Sequence, residues 1–204
     1  MKIRVNPTRM QMLRLKKRLV MSRRGHKLLK DKMEGLVQSF MELVDEYAKV
    51  RDEVDREVPR TLSLFMLAQG ISGEEAVTAA LEETDTRLEV AINRRSVMSV
   101  AYPEVELQGF ELRPSYSTLA TTTDFDMASA SMRDIFPRLL ELASKEEAVL
   151  RMADEIEKTR RRVNALEYVM IPSLKSTIKE ISSKLEEAER SSRARLMKVK
   201  DMIM

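Results

Sequence analysis

Apolar residues recur along the first quarter of the chain in steps that alternate between three and four. This spacing places them on one face of a helix and is typical of a coiled coil. The a and d positions of the heptad run from residue 12 to residue 54 with only two polar members, Ser22 and His26. The full seam is Met12, Leu15, Leu19, Ser22, His26, Leu29, Met33, Leu36, Phe40, Leu43, Tyr47, Val50 and Val54. We interpret His26 as a packed polar residue that sets the register.

The bounds of this helix are predicted from its flanking residues. Asn6 is a suitable cap and Pro7 suits the first helical position, while Pro59 is predicted to end or kink the helix. A helix over residues 8–58 would be about 75 Å long and would need an equally long partner. The apolar segment 61–69 could continue it after a bend, until Gly70 stops it.

A second seam near the other end of the chain supplies that partner. We predict a second long helix that starts near residues 131–134, with Pro137 in its first turn. Its seam positions are Leu139, Leu142, Val149, Ala153, Ile156, then Thr159 or Arg160, then Val163, Leu166, Met170, Leu174, Ile178, Ile181, Leu185, Ala188 and Leu196. Three successive steps of four around Pro172 form a stutter, where we expect a kink or a local loss of supercoil.

The middle of the chain has a different pattern of apolar and polar residues. Residues 72–75 have the pattern of a capping box for a short helix that reaches Glu83. Alternating apolar residues from Leu88 to Val100 predict two short strands that turn at Asn93 and Arg94, with the second strand ending at Pro103. Residues 117–126 are predicted to form a loop rich in Ser and Thr. The expected fold is mainly α: a long antiparallel two-helix coiled coil of segments 1–58 and 131–204, around a middle region, 59–130, with short helices and a β-hairpin.

Composition excludes several classes of site. The chain has no Cys and one His, so thiolate chemistry and multi-histidine metal sites are ruled out. It has no Gly-rich phosphate loop and no paired nucleophile and base, so we predict no catalytic residue and no cofactor. Acidic residues at helical spacing are interpreted as a solvated face. No apolar run is long enough to cross a membrane, and we expect a soluble cytoplasmic protein without direct membrane insertion.

The charge is unevenly distributed. Residues 1–32 contain 12 Lys or Arg against one Asp, and residues 190–204 contain five against one. Residues 33–189 therefore carry a net charge of −12, within a total of +3. If the helices run antiparallel, the two basic segments meet at one end and repel each other unless polar or acidic groups surround them.

Four stretches carry a family resemblance. "NPTRMQMLRLKKRL" and "RRGHKLLKDK" open the chain, while "EKTRRRVNALEYVMIPSL" and "ERSSRARLMKVK" lie in the second long helix. Together they resemble the two terminal signatures of the D subunit of the V-type and archaeal A-type rotary ATPases. The four stretches lie in both long helices, and the middle region has no comparable motif.

The resemblance implies a non-catalytic central rotor shaft that couples ATP hydrolysis or synthesis to proton or sodium transport. Implied partners are the catalytic and regulatory subunits of the hexamer, the small F subunit of the V-type ATPase, and the funnel-shaped subunit on the membrane rotor ring. The implied location is the cytoplasmic face of the cell membrane. We assign seven basic residues to the hexamer-facing end: Arg9, Lys16, Lys17, Arg23, Arg24, Arg193 and Arg195.

Two alternatives follow from the residues alone. A coiled coil with basic ends could bind nucleic-acid phosphates. The acidic middle and the low aromatic content, 4%, argue against nucleic acid as a partner. A purely structural spacer is the second alternative, and it predicts that the middle region can be deleted without loss of coupling.

Overall fold

The computed structural model describes residues 6–113, 115–117 and 121–203. Residues 118–120 of the predicted Ser- and Thr-rich loop lie outside this described part. The elements, in order, are α1 (Arg9–Ser72), α2 (Glu74–Glu83), β1 (Asp85–Val97), β2 (Val100–Arg113), α3 (Thr123–Asn164), a π-helical turn (Ala165–Met170) and α4 (Ile171–Ile203). The predicted fold class is confirmed: along the chain, two long helical segments flank a short helix and a two-stranded antiparallel hairpin.

The chain forms two compact units. Unit 1 consists of Met1–Gly35 and Ile156–Met204, and unit 2 consists of Leu36–Glu155. In unit 1, Arg9 pairs with Glu189 and His26 pairs with Glu167. Residue numbers in the C-terminal segment therefore decrease in the direction in which those of α1 increase. The predicted antiparallel arrangement of the terminal segments is therefore confirmed within this unit.

The core of unit 1 is a narrow apolar seam. Leu15, Leu174 and Ile181 are buried at its centre, and the half-buried side chains packed against them are Met12, Leu19, Ile178 and Leu185. A seam of this width has few large side chains at each level, so each buried Leu contributes a large share of the local packing.

The cap predicted for α1 was wrong, and of the outcomes predicted at Pro59 the helix continues past it. The helix begins at Arg9, and its cap is Thr8, whose Oγ1 accepts a hydrogen bond from the Gln11 N–H at 3.3 Å, rather than Asn6. Pro59 does not end the helix, which runs on to Ser72. Pro59 is exposed, so water can solvate the carbonyl that loses its helical donor. The buried face continues beyond it at Thr61 and Ala68.

The junction between α1 and α2 also differs from the prediction. Gly70 lies inside α1, and the residue that separates the helices is Gly73, with a φ of 84° that suits glycine. Gly73 is the N-cap of α2, and no side-chain hydrogen bond caps that helix. The predicted capping box over residues 72–75 is therefore absent, although α2 does reach Glu83 as expected.

The second long helix begins earlier than predicted, at Thr123. Its first turns are held by Phe125 and Ala128, which are buried among residues of unit 2. Pro137 consequently lies in the interior of α3 instead of its first turn. This early start shortens the predicted loop at 117–126. The compositional signal of Ser and Thr was misleading because burial of Phe125 outweighs the weak helix propensity of its neighbours.

The core of unit 2 is centred on Phe125. Its ring lies 6.2 Å from that of Phe65 and 5.0 Å from that of Tyr116, measured between centroids. The Tyr116 hydroxyl donates to Asp126 Oδ1 at 2.6 Å. Burial, together with this carboxylate, raises the pKa of Tyr116 to about 12. The buried residues Ala68, Val77 and Ala80 complete the cluster, which joins α1, α2 and α3.

The irregularity predicted around Pro172 takes the form of a π-helical turn. Pro172 has no N–H to donate to the carbonyl four residues earlier, so the regular pattern is interrupted there. Just before it, the Ile171 N–H donates to the carbonyl of Leu166, five residues back. The widened turn, Ala165–Met170, matches the stretch where the seam residues are spaced by successive steps of four.

The hairpin is longer than predicted and turns elsewhere. Its turn lies at Met98 and Ser99, between the paired residues Val97 and Val100. Asn93, the predicted turn residue, lies inside β1 and donates through Nδ2 to Glu106 Oε2 at 3.0 Å. The prediction that β2 ends at Pro103 was also wrong, since β2 runs on to Arg113.

The turn itself is strained. Met98 and Ser99 have φ values of 48° and 71°, and positive φ at both central residues is the mark of a type I′ turn. Such turns usually have Asn or Gly because a Cβ crowds the left-handed conformation. We expect Ser99→Gly to raise the free energy of unfolding by about 1 kcal/mol in urea denaturation. The matched change Ser96→Gly, inside β1, should lower it by about 0.5–1 kcal/mol; equal effects would contradict the assignment of strain.

Thr159 gives a second prediction, in unit 1. It is buried, and its Oγ1 has no hydrogen-bond partner among the described residues. Removing an unpaired buried hydroxyl relieves a desolvation cost, so Thr159→Val should stabilise the protein by about 1 kcal/mol in urea denaturation. Thr177 is the control because it is equally buried but donates to the Ser173 carbonyl at 2.8 Å. Thr177→Val should give no gain, and stabilisation of similar size in both variants would contradict the explanation.

Candidate functional site

The seven predicted basic residues all lie in unit 1 and are all exposed. They come from the first turns of α1 and the last turns of α4, which lie in the same unit. Arg9, Lys16, Lys17, Arg23, Arg24, Arg193 and Arg195 are the members of this group, which we call the basic surface. The structure thus brings both basic ends of the chain into one compact unit.

An acidic residue joins the two helices within the basic surface. Glu189 on α4 accepts a hydrogen bond from Arg9 on α1 through Oε1, and its Oε2 lies 3.7 Å from Arg193 Nη2. The hydrogen bond from Arg9 and its positive charge hold the pKa of Glu189 below its ordinary value. Sequence reasoning missed Glu189, because a single Glu in an otherwise basic tail gives no sign of a partner so far away along the chain.

The central members of the basic surface have no ion-pair partner among the described residues. Lys16, Lys17, Arg23 and Arg24 form no ion pair with any residue that the structure describes. Arg195 donates to the Ser191 hydroxyl at 3.2 Å and has no ion pair with the described part of the chain. Exposed cations of this kind are solvated or available to an acidic or polar partner.

The predicted seam of α1 lies on the less accessible face of the helix. Leu36, Val50 and Val54 are buried, as are Leu15 and the polar Ser22. The half-buried seam positions are Met12, Leu19, His26, Leu29, Met33, Phe40, Leu43 and Tyr47. Thr61 and Ala68, which continue the a position past Pro59, are also buried.

The predicted seam of the C-terminal segment is placed less evenly. Val163, Leu174 and Ile181 are buried, while Leu166, Ile178 and Leu185 are half-buried. The residue between Ile156 and Val163 is Thr159 rather than Arg160. The exposed predicted positions are Ala153, Met170, Ala188 and Leu196, and the buried residues that the prediction omitted are Ile135, Ser144, Ala148, Met152 and Thr177.

His26 has a carboxylate neighbour that sequence reasoning did not foresee. Its Nε2 lies 3.3 Å from Glu167 Oε2, and Glu167 belongs to the π-helical turn. One turn away, the Ser22 hydroxyl donates to the Met170 sulfur at 3.6 Å. The two polar seam residues of α1 therefore both meet the π-helical turn. This pairing supports the interpretation of His26 as a packed polar residue.

Large apolar residues are exposed at the end of α4. Leu196, Met197, Met202 and Ile203 have between 66% and 80% of their surface exposed. Met10 and Leu13 in the first turns of α1 are also exposed. The alternation of basic and apolar residues in the tail was the available signal, but Leu196 was interpreted as a seam residue instead.

A charged cluster on the helices of unit 2 is centred on Lys145. Lys145 on α3 donates to Glu46 Oε2 at 2.7 Å and lies 3.6 Å from Glu141. The hydrogen bond from Lys145 lowers the pKa of Glu46. Within the described chain, no group of three or more potential metal-ligating residues is close enough to hold an ion. None of the described helices is both long and apolar enough to traverse a lipid bilayer.

Comparison with known proteins identifies the family. The family model that describes the D subunit of ATP synthase matches residues 11–201. The D subunit of the V-type ATP synthase of Thermoanaerobacter sp. strain X514 is 44% identical over 205 residues, which cover 99% of this chain and 98% of that protein. The protein of the same name in Acetivibrio thermocellus is 43% identical over 206 residues, with 99% and 93% covered. That of Fusobacterium nucleatum is 42% identical over 205 residues, with 99% and 97% covered.

These matches extend across the middle region, where the sequence offered no motif. They confirm the resemblance carried by the terminal signatures and the function predicted with it, that of a central stalk subunit. They give no support to the nucleic-acid-binding alternative. The chain belongs to the family of ATP synthase D subunits.

Proposed function

We propose that this chain is the central rotor shaft of a V-type ATPase and turns inside the hexamer of catalytic and regulatory subunits. ATP hydrolysis or synthesis in the hexamer is coupled through it to proton or sodium transport by the membrane rotor ring. The chain itself is non-catalytic and needs no cofactor. The complex holds it at the cytoplasmic face of the cell membrane.

One observation supports the orientation above all others. Both basic terminal segments belong to unit 1, where α1 and α4 run antiparallel and the basic surface points outward. A shaft that enters a ring must present its whole circumference to the ring. In unit 1 the apolar seam is internal, and the basic surface lies outside it together with exposed apolar residues such as Met10 and Met197.

The chemistry of the basic surface suits a moving contact. An exposed ion pair contributes about 0–1 kcal/mol, so single contacts can break and re-form as the shaft turns. Lys16, Lys17, Arg23 and Arg24 are free of ion pairs within the described chain, and they are therefore the members that can meet acidic or polar groups of the hexamer. Deep pockets at this end would oppose rotation.

The middle region has a separate role in this proposal. Residues 59–130, with α2 and the hairpin, bind the F subunit of the V-type ATPase and the funnel-shaped subunit on the rotor ring. In this proposal, residues 1–58 and 131–204 form the shaft. A mere spacer would tolerate deletion of the middle region, whereas a docking region would lose partners and coupling.

Charge reversal tests the shaft assignment. We expect the double variant Lys16→Glu, Lys17→Glu to lower the coupling ratio of ions moved per ATP, or the yield of assembled complex, by roughly two- to tenfold, because several weak contacts change sign together. The measurements are ATPase activity, ion transport and single-molecule rotation in the reconstituted complex.

The matched control carries the same charge change in unit 2. Lys49 and Arg133 are exposed there and lie outside both the basic surface and the proposed docking region, so the double variant Lys49→Glu, Arg133→Glu should leave the contact with the hexamer interior intact. Normal rotation and coupling in the Lys16 and Lys17 variant would contradict the assignment of the basic surface. Equal loss in both double variants would show a general effect of charge instead.

A further inference from the structure

The two edges of the hairpin have different surroundings. On the β2 edge, the Val105 N–H donates to Ser144 Oγ of α3 at 2.9 Å, and Arg151 of α3 donates to the Ala101 carbonyl at 3.0 Å. Phe110 also stacks on Phe136 of α3, with ring centroids 5.1 Å apart. Helix α3 therefore covers the edge of β2. Among the described residues, the sheet has two strands, so the edge of β1 has no strand beside it.

The contacts with α3 also determine which backbone groups of β1 face outward. Because the N–H of Val105 and the carbonyl of Ala101 point away from β1, these residues occupy non-hydrogen-bonded sites of the ladder. Their partners Ile92 and Ser96 must then point their own backbone groups away from β2. The alternation of a strand extends this orientation to Val90 and Arg94.

The same alternate residues carry exposed apolar side chains. Leu88, Val90 and Ile92 share one face of β1, and they are 44%, 39% and 73% exposed. Their cross-strand partners are Phe110, Leu107 and Val105, which are half-buried. The apolar face of the hairpin is thus covered on the β2 side and open on the β1 side.

A positive charge also lies on this face. Arg94, two residues beyond Ile92, is exposed and makes no ion pair with the described part of the chain. Its neighbour Arg95, on the opposite face, already pairs with Glu104. A segment beside β1 would therefore gain from a carboxylate placed opposite Arg94.

A cavity lies at the other end of the apolar face. It has a volume of about 280 Å³, and Thr86 of β1 forms part of its wall together with Leu62, Phe65, Leu81 and Met132. Thr86 precedes Leu88 by two residues and so belongs to the same face of the strand. A large apolar side chain near the end of an added segment could occupy this cavity.

We propose that β1 accepts an extended segment of another ATPase subunit as a third strand of the hairpin sheet. That segment has apolar side chains at alternate positions, over Leu88, Val90 and Ile92, and a carboxylate opposite Arg94. The inference rests on the proposed function, because it takes the middle region as the docking region for other subunits. Strand addition uses the free backbone groups for affinity and the alternate side chains for selectivity.

Hydrogen exchange at single-residue resolution tests the mode of binding. The full chain is compared alone and after assembly with the recombinant F subunit, the funnel-shaped subunit and the hexamer. Exchange at the amides of Val90, Ile92 and Arg94 should slow at least tenfold on assembly, because they gain partners. The amides of Ala91 and Asn93, which already face β2, should change much less.

Substitutions at two neighbouring residues test which face of β1 the added segment contacts. Ile92→Lys places a charge on the apolar face and on the strand edge, where lysine opposes strand pairing. Asn93→Lys adds the same charge on the opposite face, beside Glu106. We expect Ile92→Lys to weaken the binding of the other ATPase subunits to the middle region at least tenfold. Asn93→Lys should change this binding less than twofold. For both variants, circular dichroism and slow hydrogen exchange at the amides that face β2 check that the hairpin is folded.

The outcomes separate the two proposals. Failure of the chain to assemble with any ATPase subunit would contradict the proposed function, and this inference with it. Assembly without slowed exchange at Val90, Ile92 and Arg94 would overturn only the third strand. Slowed exchange in the isolated chain, with a dimer detected by light scattering, would mean that a second copy occupies the edge, and this also overturns the proposal.

Discussion

Phe125→Ala is expected to lower the free energy of unfolding by about 3–5 kcal/mol. Phe125 is fully buried, and its ring contacts those of Phe65 and Tyr116 in the cluster where α1, α2 and α3 meet. Truncation removes both aromatic contacts and leaves a cavity that the small neighbours Ala68 and Ala80 cannot fill. Urea denaturation followed by circular dichroism measures the change.

Phe125→Leu is the matched control for this prediction. It keeps most of the apolar volume, so its cost should stay below about 1.5 kcal/mol. A loss of less than about 1 kcal/mol for Phe125→Ala would show that the cluster does not hold the first turns of α3. The predicted loss would explain why that helix begins at Thr123 in spite of its polar surroundings.

Leu174→Ala should cost about 3 kcal/mol, the second large effect. Leu174 has no exposed surface and lies at the centre of the unit 1 seam with Leu15 and Ile181. A two-helix seam can relax only partly around a lost side chain, so most of the cavity should persist. Thermal and urea denaturation of the full chain measure the loss.

Leu196→Ala is the control because Leu196 belongs to the same helix but is 67% exposed. Its effect on stability should be within about 0.5 kcal/mol. Comparable losses in the two variants would mean that the end of α4 is packed, contrary to its exposure. The comparison also tests the sequence prediction that placed Leu196 in the seam.

The sequence predicts the helices well where one physical signal dominates. Steps of three and four repeat from Met12 to Val54, and Leu15, Leu36 and Val54 are indeed buried because a long helix can hide only one narrow face. The helix bounds predicted from two prolines were less accurate: Pro59 was expected to end or kink α1, and Pro137 was expected in a first turn. Pro59 and Pro137 lie inside helices, since a proline on an exposed face costs one hydrogen bond, and packing on both sides compensates for that loss.

The hairpin was harder to predict for a different reason. Its turn uses Met98 and Ser99, residues that rarely adopt positive φ, so the local sequence contains no turn signal. Asn93 suggested a turn where there is none, because its side chain donates a cross-strand hydrogen bond to Glu106. The pairing of His26 with Glu167, and of Arg9 with Glu189, depends on the register between distant segments, which periodicity alone does not determine.

The one-sided hairpin has a consequence for the chain before it meets any other subunit. Exposed strands with apolar side chains and free backbone groups are templates for aggregation. In the described part of the chain, α3 shields the β2 edge, and β1 presents Leu88, Val90 and Ile92 to solvent. The relative amounts of the subunits therefore matter: a cell that makes this chain in excess leaves the β1 edge without its partner, and balanced synthesis limits the time for which an aggregation-prone strand is exposed.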